Sequence, residues 1–481
     1  MEFGSLAFVG LSLAAVALLR LLQDRTRREV ALLAINAVFV GSFVGATPRE
    51  LLPTVGFLVL GYLAIRAVAW RARLLGVLIV AVVGTFVWLK QYTIIAGLPQ
   101  LSFLYLTVGL SYILFRILHL MIDVSQKETA PPSVLRYLNY TTFFLTFVSG
   151  PIQRWQDHDA QMQSPPVEAN NLQLERGLSR AALGYVYIVL LDKLILRQIP
   201  YFQNHFQLYA TAHSWLPAAP YLAASAWLIL LHLYVNFAGY MHIVIGIGML
   251  AGLQLPENFN NPYRTANFLE LWSRWHITLS EWFKFYLFNP LLKAMGQRWG
   301  DTVPMTYLGV VSFFVTFAVM GIWHGTTGYF LVFGLLLGLG VSVNRLWQIV
   351  AAKRLGRDKY RLLCERVTYA DASRSAAIAF FCIALTCLWL NDSPVPAILS
   401  PMGLVCCVLA FVMITVAGVA MIAGERTFMR ALQPPFASWI KQYGLQADVL
   451  RTRWIAVAVW AVVILAFIGN GVTPGFVYQG F

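Results

Sequence analysis

Apolar runs of roughly 20 residues recur along almost the whole of this sequence, and they constrain its fold more than any other feature. They fall at 5–22, 30–47, 54–70, 74–95, 101–122, 177–197, 221–251, 303–322, 328–350, 374–391, 398–422 and 453–470. A helix rising 1.5 Å per residue needs about that length to cross the hydrocarbon of a bilayer. Composition agrees, with 59% hydrophobic and 12% charged residues, where a soluble domain carries about 25% charged. No long polar block separates the runs, so one membrane-embedded unit replaces the several soluble domains that length alone would suggest. The expected fold is all-α, a polytopic transmembrane protein of about 11–13 membrane helices with amphipathic or re-entrant segments. It divides into N-terminal helices in 1–100, a core in 101–350 and C-terminal helices in 351–481.

Three stretches depart from that pattern. The run 221–251 is too long for one straight span, and Asn236, Gly239 and His242 interrupt it, so a break inside protein is expected there. The segment 139–152 is apolar but short, which reads as re-entrant or interfacial. Residues 255–300 mix aromatics with Arg264, Glu270, Arg274, Glu281, Lys284 and Lys293. Trp272, Trp275, Leu279, Trp282 and Tyr286 recur there at three- and four-residue spacing, the pattern of an amphipathic helix anchored by Trp and Tyr at headgroup depth.

The net charge of +14 sits in short loops. Cytoplasmic loops carry such an excess and anionic lipid attracts it, so membrane lipid is the expected partner and nucleic acid is not. Arg25, Arg27 and Arg28, then Arg71 and Arg73, then Lys127 and Arg136 mark alternate loops. This places both termini on the extracytoplasmic side and 255–300 inside. Met1 to Leu22 lacks a basic leader and a cleavage site and reads as a retained span. The cysteines Cys364, Cys382, Cys387, Cys406 and Cys407 form no CxxC pair and read as small buried hydrophobes.

Of eight histidines, His158, His205 and His213 lie in polar or loop stretches and read as solvated, while His119 and His232 read as buried and satisfied by a neighbour. No HExxH and no Cys/His cluster with zinc spacing occurs, so no metal is expected. His324 differs. It stands in VMGIWHGTTGYFLVFG, between two apolar spans and among Gly321, Gly325 and Gly328. Ionisable groups at such positions are costly and usually functional. Desolvation disfavours the charged imidazole, which keeps it a neutral base. Such a base can take the proton of a hydroxyl as that hydroxyl attacks a thioester carbonyl. No GxSxG element is present, so direct transfer fits better than a serine acyl-enzyme.

Four ordered blocks give the chain a recognisable resemblance. They are VGLSYILFRILHLMIDV with Asp123, FLTFVSGPIQRW with Gly150, Pro151 and Arg154, the long block from VNFAGY through PENFNNPY to WSRWHITLSEWF, and GIWHGTTGYFLVFGLLLG. In the third block the matching positions include Gly239, Tyr240, Asn258, Trp275, His276 and Ser280. The chain resembles the membrane-bound O-acyltransferase superfamily, in its bacterial branch that acylates cell-surface polymers. The closing FVYQGF is similar to that branch's aromatic tail.

The resemblance implies helices around a funnel in a bacterial inner membrane, with His324 catalytic near the funnel's base. His276 would line the cytoplasmic approach, on the far side of the bilayer from His324. Trp323, Asn236, Tyr240, Asn258, Trp275, Arg154 and Ser280 become candidates for the substrate and donor tunnel. The resemblance also implies no bound cofactor, an acetyl-CoA or acyl-carrier thioester as donor, a polysaccharide acceptor, and a periplasmic or membrane-anchored acyltransferase partner. Arg274 and Lys284 are weaker candidates for donor phosphates. The family often has Asp where this chain has Asn236, His242 and Phe285. D-alanyl transfer to teichoic acid is the alternative enzymatic reading, and a transporter or export channel the non-enzymatic one.

Overall fold

The computed structural model describes residues 5–44, 47–164, 171–388 and 400–442. Among them the regular structure is helical, apart from one isolated bridge between Phe259 and Trp275. Among the described residues, seven helical stretches are long and apolar enough to cross a membrane, namely Pro48–Trp70, Ala72–Lys90, Trp215–Leu250, Met305–His324, Gly328–Leu355, Val367–Leu388 and Pro401–Thr427; Ala7–Leu21 is a shorter apolar helix. The chain is an all-α, multi-pass membrane protein. The run 453–470 and the aromatic tail lie outside the described residues.

Helices α1 (Leu6–Leu21) and α2 (Arg25–Gly41) pack as a hairpin, and Asp24 starts α2 by accepting from Arg27 N at 2.8 Å. Next come α3 (Leu52–Trp70), α4 (Leu75–Lys90) and α5 (Leu110–Ser125). Helix α5 begins later than the apolar run 101–122 suggested, but it is buried on nearly every side and forms the centre of this half. Its Arg116 is 2% exposed and donates to Thr141 O and Thr146 O, both at 2.7 Å. That guanidinium ties down the stretch after α6 (Val134–Thr141), where the backbone leaves the helix and runs irregularly to α7 (Trp155–Gln163). The short apolar segment at 139–152 is therefore buried irregular chain, tolerated because protein satisfies its carbonyls. His158, expected to be solvated, is buried in α7 with Nδ1 3.3 Å from Gln153 Oε1, while Asp157 and Gln163 of the same helix are exposed.

Helix α8 (Asn171–Tyr185) continues through a π-helical stretch, Val186–Asp192, into α9 (Lys193–Leu196), and α10 (Ile199–Thr211) leads to α11 (Trp215–Leu250). The expected break in 221–251 is absent. Helix α11 is continuous over 36 residues, about 54 Å at the standard rise. The residues that looked like interruptions serve packing instead. A Cβ on Gly184 of α8 would stand 2.5 Å from Gly239 O, so the two backbones touch directly. One turn earlier on α11, Asn236 Nδ2 donates to Asp192 Oδ2 at 2.8 Å.

The remaining elements are α12 (Phe268–Leu271), α13 (Ile277–Phe283), a second π-helical stretch Lys284–Phe288, α14 (Asn289–Trp299), α15 (Met305–His324), α16 (Gly328–Leu355), α17 (Arg357–Glu365), α18 (Val367–Leu385) and α19 (Pro401–Gln442). The amphipathic helix read across 272–286 is divided by a turn that ends at His276. Trp272, Trp275 and Trp282 are buried and do not anchor at the headgroups; Trp272 and Trp275 form part of the wall of an interior site, and Trp282 packs on Phe115.

Candidate active site

His324 is the last residue of α15, where the chain turns through Gly325–Thr327 into α16. A Cβ on Gly334 would stand 2.8 Å from Gly321 Cα, so the two helices of this hairpin meet backbone to backbone one turn before the histidine. The turn is braced from the loop after α4, because Tyr92 OH donates to Ile322 O at 3.1 Å and Thr93 N to Thr326 O at 3.0 Å. Behind the histidine, Trp323 is buried and stacked on Phe115, with centroids 4.6 Å apart. Its ring meets that of His324 edge-on at 4.9 Å. Both neighbours fix the imidazole's place at a helix end.

His276 is positioned differently. It precedes α13 in a left-handed conformation, φ 45 and ψ 52, a state that costs a non-glycine residue roughly 1–2 kcal/mol. Strain of this kind persists where surrounding structure fixes it, and such positions cluster at functional sites. Here the fixing residue is Asn258, fully buried. Asn258 O accepts from Ile277 N at 3.0 Å, and Asn258 Oδ1 accepts from Thr278 N at 3.1 Å and Thr278 Oγ1 at 2.9 Å. His276 Nδ1 lies 3.2 Å from the same Oδ1. A backbone N–H can only donate, so the atom facing Thr278 is the amide oxygen. His276 Nδ1 must then carry a hydrogen, which leaves the ring's lone pair on Nε2. The imidazole is 2% exposed. Burial, reinforced by the neighbouring His324, holds its pKa well below 6.5.

The two histidines were expected on opposite sides of the bilayer. Their ring centroids are 6.5 Å apart, and both line one small chamber of about 30 Å³. The expectation failed because the chain from Asn258 to His276 folds inward, while α15 ends inside the bundle at His324. The chamber walls come from α11, α13, α16 and α18, with Leu233, Leu279, Phe330, Phe333, Phe381 and Leu385 as apolar sides. Trp272, Trp275 and Ser280 complete the polar and aromatic part, and none of the described lining residues is a carboxylate or a basic side chain other than histidine.

Of the sequence candidates, Trp275 and Ser280 therefore line the chamber, while Asn258 and Trp323 support its two histidines. The others stand elsewhere. Tyr240 is fully buried with its hydroxyl 2.9 Å from Gly150 O and 3.0 Å from Leu145 O, bracing the irregular loop. Asn236 faces Asp192. Arg154 is exposed, its guanidinium 4.4 Å from the centre of the Phe285 ring. Arg274 is held by Glu270 Oε1 at 2.7 Å, and Lys284 is exposed with Nζ 5.9 Å from the Phe285 ring. None of these five side chains lines the chamber.

Asp192 is the polar residue that sequence reading missed. It is fully buried, and one carboxylate oxygen lies 2.5 Å from His232 Nδ1 while the other takes the hydrogen bond of Asn236. A lone Asp closing the apolar stretch YVYIVLLD was the available signal. At position 236, where the resemblance led to the expectation of Asp, the chain carries Asn, and a carboxylate reaches it from the π-helical stretch after α8. At Phe285, the aromatic face meets the Arg154 guanidinium.

Comparison with known proteins adds an independent finding. A family model described as the membrane-bound O-acyltransferase family matches residues 70–363. That stretch contains both histidines and most of the chamber; Phe381, Leu385 and Leu388 lie beyond it. A teichoic acid D-alanyltransferase of Streptococcus thermophilus is 28% identical over 255 residues, 52% of this chain and 60% of that protein. A probable alginate O-acetylase of Pseudomonas aeruginosa is 28% identical over 259 residues, 53% of this chain and 46% of that protein. A peptidoglycan O-acetyltransferase of Helicobacter pylori is 32% identical over 224 residues, 46% and 39% of the two chains. The chain thus spans about half the length of the curated relatives it matches.

Proposed function

The chain belongs to the membrane-bound O-acyltransferase family, and from that premise we propose that it transfers an acetyl group from a thioester donor for O-acylation of an exported cell-surface polysaccharide. His324 is the general base: it takes the proton of the attacking hydroxyl as the carbon–oxygen bond forms. His276, with its lone pair on Nε2, orients that hydroxyl. The donor arrives as acetyl-CoA or an acyl carrier, and a periplasmic or membrane-anchored partner hands the group on to the polymer. The setting is a bacterial inner membrane with both termini extracytoplasmic.

The observation that carries the reading is the shared chamber. It brings two imidazoles together in apolar surroundings and has room for a very small group. It also favours acetyl over D-alanyl. A D-alanyl group brings an ammonium, and an unpaired buried ammonium costs several kcal/mol. The described walls offer no carboxylate to pair with it. A His324→Ala chain restored to cells lacking the native gene tests the reading. Acetyl ester on the exported polymer should fall to the level of the deletion, with the protein still present in the membrane. Full acetylation with the variant would sink the assignment.

A further inference from the structure

Attack on a thioester turns its carbonyl oxygen into an oxyanion. In a water-excluded site that charge needs fixed hydrogen-bond donors, and these usually supply the largest single catalytic effect. His276 cannot be one of them, because its N–H is held by Asn258. His324, acting as base, presents a lone pair to the incoming proton. The donors must come from elsewhere on the walls.

Two lining residues qualify. Ser280 Oγ and Trp272 Nε1 are both buried, and neither has a hydrogen-bond partner among the described residues. Each is an exception to the rule that buried donors are paired, and such exceptions call for an explanation. Ser280 lies one helical turn after His276 on α13, so its side chain rises from the same face. Trp272 belongs to the turn before His276 and packs on Phe317 and Phe381, which fixes its ring. An orphan donor costs the resting protein stability. Two of them, on the walls of one 30 Å³ chamber beside the histidine pair, are what a site preorganised for a transient negative charge requires.

We propose that Ser280 O–H and Trp272 N–H form the oxyanion-binding site of this chamber. The inference rests on the acyl-transfer reading. The acceptor oxygen bonds to the thioester carbon and its proton passes to His324. The carbonyl π electrons move onto oxygen, where Ser280 and Trp272 donate to it. On collapse the C=O bond re-forms, the carbon–sulfur bond breaks, and the leaving thiolate takes the proton from His324.

The test uses native membranes, which keep the full chain with its partner and acceptor, with acetyl-phosphopantetheine as donor and membranes lacking the gene as blank, and follows thiol release. Ser280→Ala and Trp272→Phe should each lower kcat by about 10²–10³-fold, with KM changed less than about threefold. Neither substitution removes a hydrogen bond of the resting protein, so the thermal midpoint should hold or rise in Ser280→Ala and fall in Trp272→Phe only by the packing lost with the smaller ring. A dithioester donor, with C=S in place of C=O, gives a second readout. Its penalty should be large in the wild type and shrink in both variants, because a sulfur anion accepts hydrogen bonds poorly. If both variants keep kcat within twofold while His324→Ala is inactive, the assignment of these donors is overturned and acyl transfer stands. A wild-type chain that releases no thiol would instead overturn the acyl-transfer reading itself.

Discussion

The chamber at His276 and His324 and the cluster at Asp192 and His232 place the same side chain in the same kind of apolar helical packing, and they differ in what the imidazole faces. His232 Nδ1 meets a fully buried carboxylate at 2.5 Å, and Asn236 fills that carboxylate's other oxygen. Every group there has a partner, and the cluster joins the π-helical stretch after α8 to α11. His119 repeats the pattern, with Nε2 3.0 Å from Asp123 Oδ2. The chamber has no carboxylate on its described walls and carries donors without partners. An ionisable residue inside a membrane protein is therefore not a site by itself. A carboxylate partner makes it a structural joint, and unspent hydrogen-bonding capacity beside a cavity makes it a candidate for chemistry.

The comparison can be broken from the structural side first. Asp192→Ala removes the centre of a buried pair and leaves His232 and Asn236 without it. A loss of roughly 3–5 kcal/mol in stability is expected, read from denaturant unfolding in detergent. The kcat of the molecules that remain folded should stay within about threefold of wild type. A stable Asp192→Ala protein with abolished turnover would move Asp192 into the catalytic machinery and erase the distinction between the two regions.

A smaller effect sharpens the other side. The pKa of His276 lies well below its ordinary 6.5, through burial and then through His324. The folded chain keeps this imidazole neutral below pH 6.5, where the unfolded chain takes up a proton. The stability it contributes is thus complete above 6.5 and declines as the pH falls below it, towards the folded-state pKa. Between about pH 7.5 and 5.5 the thermal midpoint should drop while kcat stays nearly flat, the reverse of an exposed histidine pair. A kcat that halves near 6.5 would show solvent reaching the imidazoles.

The sequence made the all-α membrane architecture legible because a span is a local, one-dimensional property: 20 apolar residues are visible without knowing their neighbours. It made His324 legible for the same reason, as a costly group in an apolar run. Asn258 and Ser280 became visible only through resemblance, since neither stands out by composition. What the sequence hid was relational. The charge pattern ordered the loops but did not show that 258–276 turns inward, so His276 was set across the bilayer from a histidine 6.5 Å away. Asn236 and Gly239 read as a helix break because nothing in their own run reveals Asp192 and Gly184 opposite them. Trp272 and Trp275 showed helical spacing, which an interface anchor and an interior wall share.

The most direct test of the central claim, that one small uncharged chamber carries the transfer, is a comparison of two donors differing only in the acyl group. Purified chain would be given radiolabelled acetyl-phosphopantetheine and D-alanyl-phosphopantetheine at equal concentration, with His324→Ala as the blank. Burying an unpaired ammonium costs several kcal/mol, and each 1.4 kcal/mol is about tenfold. Acetyl transfer should exceed D-alanyl transfer by about 100-fold or more, and the blank should abolish it. Equal or faster D-alanyl transfer would contradict the account.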